Sequence, residues 1–118
     1  MAESANIIEI TSKTQFDEAV KSENLTIVDF WAEWCGPCRL LKPLLEGIAG
    51  EHPEIQLLTV NVDANGDLAG EYDINSIPAV FMFKNGEIVD NFVWVMPKDQ
   101  ILEKIQNLNS SSEDEIVE

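Results

Sequence analysis

The chain has 118 residues, 45% of them apolar, which makes one domain with enough material for a hydrophobic core. Its 22 acidic residues against 7 basic ones give a formal net charge of −15, which repels nucleic acid and anionic membrane surfaces. Two cysteines are too few for a disulfide-stapled scaffold, no apolar run is long enough to span a membrane, and the opening Met1-Ala2-Glu3-Ser4-Ala5-Asn6 lacks the basic start of a secretory signal. A reducing, cytoplasmic setting is therefore expected, although a chain already relieved of its signal would read the same way.

Ile7, Ile8 and Ile10 read as a short first strand. Ser12 with Gln15 three positions later forms a capping-box pattern, opening a helix to about Lys21 with Phe16, Ala19 and Val20 facing inward. Residues 25–31 are rich in β-branched and aromatic types and predict a buried central strand. Cys35-Gly36-Pro37-Cys38 follows. Over residues 39–49, Leu40, Leu41, Leu44, Leu45 and Ile48 recur at helical spacing, with Pro43 expected to bend the helix. Residues 55–62 predict another strand. Asn65-Gly66 breaks it, and Asp67 is placed to cap a short helix reaching Tyr72.

Residues 79–83 and 88–95 flank Asn85-Gly86, a strong hairpin signal. Pro97 suits the first turn of a last helix carrying Ile101, Leu102, Ile105 and Leu108. From Asn109 onward the chain is Ser-rich and acidic, so a domain over 1–108 and a disordered tail over 109–118 are expected. The order βαβαβαββα implies an α/β fold, with parallel strands joined through helices and a closing antiparallel hairpin.

Cys35 and Cys38 carry the chemistry. Two thiols three positions apart at a helix start can face one another and close a small disulfide. The helix N-terminus presents unpaired N–H groups and partial positive charge, which favour a thiolate over a thiol. The alternatives are a structural disulfide or half of a zinc site. Zinc takes four ligands, and the chain offers two cysteines and a distant His52, so no metal is expected. His52, near a helix end, reads as a surface residue.

Trp31-Ala32-Glu33-Trp34-Cys35-Gly36-Pro37-Cys38-Arg39 resembles the active-site segment of the thioredoxin family. Val28-Asp29-Phe30 before it, Pro43 within the next helix, Ile77-Pro78 at the family's cis-proline loop and Phe83-Lys84-Asn85-Gly86 at its hairpin extend the match over about residues 6–108. The resemblance implies the thioredoxin fold, a central mixed five-stranded sheet flanked by four helices, and dithiol–disulfide exchange. Gly36 and Pro37 between the thiols resemble the reducing members. Disulfide-containing protein substrates and a thioredoxin reductase, often flavin- and NADPH-dependent, are the implied partners. No dinucleotide-binding glycine motif is present, so no cofactor is expected on this chain, and a monomer is the default.

Cys35, nearest the helix end and more exposed, is the expected nucleophile, and its attack on a disulfide gives a mixed disulfide. Cys38, one turn further in, then attacks the Cys35 sulfur, a step made fast by being intramolecular. Gly36 and Pro37 shape the backbone, Pro37 by presetting φ for helix entry. Asp29 is a carboxylate in an apolar strand. Burial raises its pKa, yet strand alternation leaves a solvent-facing placement open. The resemblance sets Asp29 beneath the pair as proton donor and acceptor for Cys38. It also makes Pro78 cis, lends Ile77's backbone to an extended substrate segment, and puts Trp34 on a flat docking surface while Trp31 packs under the loop.

The chain departs from the family twice. Thr59 stands where a lysine near the buried aspartate is usual, which should hold the Asp29 proton to higher pH. Trp94 stands where the last strand normally ends in glycine, and is expected to narrow or alter the substrate range. The competing function is a thioredoxin-like binding module with dispensable turnover. Trp94 and the acidic surface favour it, and the intact Cys35 and Cys38 speak against it.

Overall fold

Apolar runs alternating with amphipathic ones build a single sheet covered by helices on both faces. The computed structural model describes the backbone of residues 5–117 and the side chains of residues 5–109. Most of the opening segment read for a signal, residues 1–4, lies outside the described residues. In chain order the elements are β1 (Ile7–Glu9), α1 (Lys13–Ala19), β2 (Thr26–Trp31), α2 (Gly36–Glu51), β3 (Gln56–Asn61), α3 (Gly66–Glu71), β4 (Ala79–Lys84), β5 (Glu87–Val93) and α4 (Lys98–Val117). The strands lie in the order β1-β3-β2-β4-β5. β3 runs parallel to β1 and β2, whereas β4 is antiparallel to both β2 and β5. This is the expected βαβαβαββα arrangement of five strands and four helices.

β2 is the central strand, and Thr26 to Phe30 are all buried. Successive side chains point to opposite faces. Leu25 and Ile27 pack with Leu41, Leu45 and Ile48 of α2 and Ile101 and Ile105 of α4. Val28 and Phe30 pack on the other side with Phe16 of α1 and Leu68 of α3. The same parity puts Asp29 and Trp31 on the α2 face. Leu40, expected on the apolar side of α2, is instead 69% exposed.

The caps follow the local chemistry. Ser12 Oγ accepts from the Gln15 N–H at 3.1 Å, and Gln15 Oε1 in return accepts from the Thr11 N–H at 2.6 Å. At α3 the N-cap is Asn65 rather than Asp67, which sits inside the first turn and accepts from the Leu68 N–H. The buried Asn65 is anchored there because its amide donates to the carbonyls of Ile10 and Asn61. Asn85 and Gly86 both take positive φ, 55° and 82°, as a two-residue hairpin turn of right-handed strands requires.

Three boundaries differ from expectation at the C-terminal side. β5 ends at Val93, because Trp94 turns into the left-handed region at φ 85°. The carbonyl of Pro97 accepts from Gln100 and Ile101, so this proline precedes α4 rather than lying in its first turn. α4 continues beyond Leu108 to Val117, through the stretch expected to be disordered. Once a packed turn exists, each added residue gains a hydrogen bond, so elongation is cheap relative to nucleation. Glu118 lies outside the described residues.

Candidate active site

β2 delivers the chain to the start of α2, and the Cys pair sits at that junction. Cys35 is the N-cap of α2, with extended backbone at φ −90° and ψ 110°, and Gly36 and Pro37 open the helix. A proline there sacrifices an N–H that has no helical partner anyway. The N–H of Cys38, among the first unpaired donors of the helix, points at Cys35 Sγ at 3.2 Å. The two residues are joined by a disulfide across a Cα–Cα separation of 5.3 Å. In this oxidised form neither sulfur is open: Cys35 is 4% exposed and Cys38 2%. The expected accessibility of Cys35 is thus not present in the disulfide state, because Trp31, Ala32, Val62 and Ile77 pack around the pair.

Asp29 is 1% exposed, which removes the solvent-facing alternative. Because β2 is covered on both faces, alternation could not have decided this point. Both carboxylate oxygens lack a hydrogen-bond partner among the described residues. Burial pushes the Asp29 pKa up to about 7, opposed by the Lys42 ammonium and reinforced by the Glu46 carboxylate. Thr59, in register on β3, brings no charge. Lys42 and Glu46 were not singled out from the sequence. Their signal was spacing: positions 38, 42 and 46 recur every four residues and so share one face of α2.

A second group forms the surface around the pair. The Ile77–Pro78 peptide is cis, and Ile77 packs against the Cys cluster. The Trp94 N–H donates to the Pro78 carbonyl at 2.8 Å, which fixes the end of β5 beside this loop. Trp94 is 56% exposed, as is Val93, and Trp34 is 68% exposed. The Trp34 indole donates to Asp63 Oδ2 at 2.9 Å, which holds the ring at the site's edge. Asp63 was not read as part of this site. His52 caps α2 and pairs with Glu54, away from the Cys pair.

A Cys pair three residues apart, closed into a disulfide at a helix N-terminus beside a five-stranded mixed sheet, defines a dithiol–disulfide oxidoreductase. The Thioredoxin family model matches residues 7–107. A thioredoxin of Rickettsia bellii is 41% identical over 99 residues, covering 83% of this chain and 94% of that protein. Thioredoxin 2 of Chlorobaculum tepidum is 39% identical over 103 residues, covering 86% and 94%. Among solved structures, a mutant thioredoxin from Halobacterium salinarum superposes with a TM-score of 0.80 at 28% identity, covering 91% of this chain and 94% of that one. The chain belongs to the thioredoxin family. No helix among the described residues is long and apolar enough to cross a membrane.

Proposed function

We propose that this oxidoreductase is a two-electron carrier that takes reducing equivalents from a thioredoxin reductase and delivers them to disulfides in other proteins. The observation that carries the reading is the hydrogen bond from the Cys38 N–H to Cys35 Sγ. A donor aimed at sulfur from a helix N-terminus stabilises thiolate at Cys35, the form that attacks.

In the reduced protein, Cys35 thiolate attacks one sulfur of the substrate disulfide. The substrate S–S bond breaks, one thiolate leaves, and a mixed disulfide forms. Cys38 then gives its proton to the Asp29 carboxylate, and its sulfur attacks Cys35. The mixed disulfide breaks, the second substrate thiolate leaves, and the Cys35–Cys38 disulfide results. Two electrons pass to the substrate in each cycle. Ile77 and Pro78 offer backbone to an extended substrate segment, Trp34 borders the docking surface, and Trp94 screens what approaches. Gly36 and Pro37 hold the turn.

The working unit is residues 1–108, acting as a monomer, with 109–118 as an acidic appendage. With two cysteines in all, none is left for a structural disulfide, which supports a reducing, cytoplasmic setting. The charge of −15 argues against nucleic-acid and membrane partners. The test is disulfide reduction coupled to an NADPH-dependent thioredoxin reductase. Cys35→Ser should lose all turnover, and Cys38→Ser should accumulate mixed disulfide. Turnover that survives Cys35→Ser refutes the assignment.

A further inference from the structure

A cleft of about 400 Å³ opens on the α2 side of the Cys pair, lined by Trp31, Cys38, Lys42, Pro43 and Glu46. Its chemistry differs from that of the apolar docking surface around Pro78. The Lys42 ammonium is held at two points, 2.9 Å from Glu46 Oε2 and 5.1 Å from the centre of the Trp31 ring. Lys42 and Glu46 are 29% and 37% exposed, so this pair stands between solvent and interior. A half-desolvated ion pair over an indole face is better fixed than a pair on open surface.

Trp31, in that lining, and Asp29 carry buried polar atoms with no hydrogen-bond partner among the described residues: Trp31 Nε1 and both oxygens of Asp29. Where polar space reaches a buried polar atom, solvent supplies the hydrogen bond the protein does not. Asp29 lies two residues before Trp31 on the same face of β2, about 7 Å along the strand. The other elements around Asp29 supply no competing charge. β3 offers Thr59 and β4 offers Val80 in register. On α4, Lys104 is engaged with Asp90 of β5 at 3.0 Å. The charges that act on Asp29 are Lys42 and Glu46, and Cys38 joins them as a titrating thiol when the pair is reduced.

We propose that this cleft is the proton port of the dithiol site, where Lys42 and Glu46 govern exchange of the Asp29 proton with solvent. The proposal rests on Asp29 accepting the Cys38 proton. In each cycle one proton moves from Cys38 Sγ to an Asp29 oxygen, and the same carboxyl then gives one proton to solvent in the cleft. Lys42 favours the ionised carboxylate that accepts. Glu46 fixes Lys42 in place and partly offsets its charge. Both are positioning residues that act through Asp29.

The test measures the single-turnover rate of mixed-disulfide resolution against pH, together with the Asp29 carboxyl titration followed by its 13C shift. Lys42→Met keeps an apolar stem on the Trp31 ring and removes the charge. It should move both midpoints upward by about half a pH unit or more. Glu46→Gln should move them downward, and Lys42→Arg should restore the parent profile. Opposite shifts from the two charge-removing variants support the port, because a purely structural defect does not reverse sign with the charge removed. If Asp29→Asn abolishes the pH dependence while Lys42→Met and Glu46→Gln leave the midpoints in place or move them together, the port is refuted and the role of Asp29 stands. If Asp29→Asn leaves the profile intact, the reading of Asp29 fails and the port falls with it.

Discussion

Asp29 on β2 stands in register with Thr59 on β3, so the buried carboxyl faces a neighbour without charge across that ladder. With its pKa near 7 instead of 3.8, the folded chain holds a proton that the unfolded chain releases at much lower pH. Asp29 therefore costs nothing below about pH 4, and its penalty grows as pH rises toward 7, reaching roughly 4 kcal/mol above that. Asp29→Asn cannot ionise. Its stability relative to the parent should rise between about pH 4 and about pH 8 by an amount of that order. Urea unfolding of both oxidised proteins across this range checks it, and a constant gap at every pH counts against the buried titration.

Thr59→Lys adds a cation on the sheet side of the same carboxyl. Thr59 is only 4% exposed, so an ammonium there loses hydration and is stabilised chiefly by an ionised Asp29. The Asp29 titration should move downward in both redox states, and the pH midpoint of mixed-disulfide resolution should follow. An unmoved carboxyl titration would show that Lys42, already acting from α2, leaves no room for a second cation.

Much of this arrangement was legible in the residues, and the remainder failed for identifiable reasons. Cys35-Gly36-Pro37-Cys38 at a helix start declares its geometry because capping is local chemistry, and Asn85-Gly86 declares a hairpin because few residue pairs accept two positive φ values. The burial of Asp29 was invisible to strand alternation, since β2 is covered on both faces and apolar residues flank it either way. Lys42 and Glu46 were passed over because charged residues on a helix ordinarily face solvent. Only the packing of α2 against β2 sets their face at the border between solvent and interior. The end of β5 was misplaced because Trp94 continues the β-forming pattern in composition while its backbone leaves the strand.

Two glycines should respond in opposite ways to the same substitution. Gly86 holds φ 82° in the hairpin turn, and its N–H binds the Val20 carbonyl at 2.8 Å. Gly86→Ala forces an L residue into the left-handed region and should cost about 1 kcal/mol. Gly47 lies in the interior of α2, and a Cβ there meets nothing within 4 Å. Gly47→Ala should stabilise by about 0.5–1 kcal/mol by restricting the unfolded chain. Urea midpoints with unchanged slopes check both, and the same sign at both positions would contradict the backbone argument.

Trp94 combines a bulky ring with φ 85°, a conformation that glycine adopts freely and a β-carbon resists by about 1–2 kcal/mol. Its ring is 56% exposed, so burial returns little of that cost. The backbone is nonetheless fixed, because its N–H is bound to the Pro78 carbonyl beside the Cys pair. Strain retained beside the Ile77–Pro78 loop is accounted for if the ring itself selects substrates. Trp94→Gly should raise stability by about 1 kcal/mol and compress the differences in kcat/KM among a panel of protein disulfides. Substrates with bulky groups beside the attacked sulfur should gain most. Trp94→Phe keeps both the strain and an aromatic surface, and should preserve the parent's ranking. If Trp94→Gly becomes more stable yet ranks the same substrates in the same order, the ring is a strained bystander and substrate choice lies with Ile77, Pro78 and Trp34.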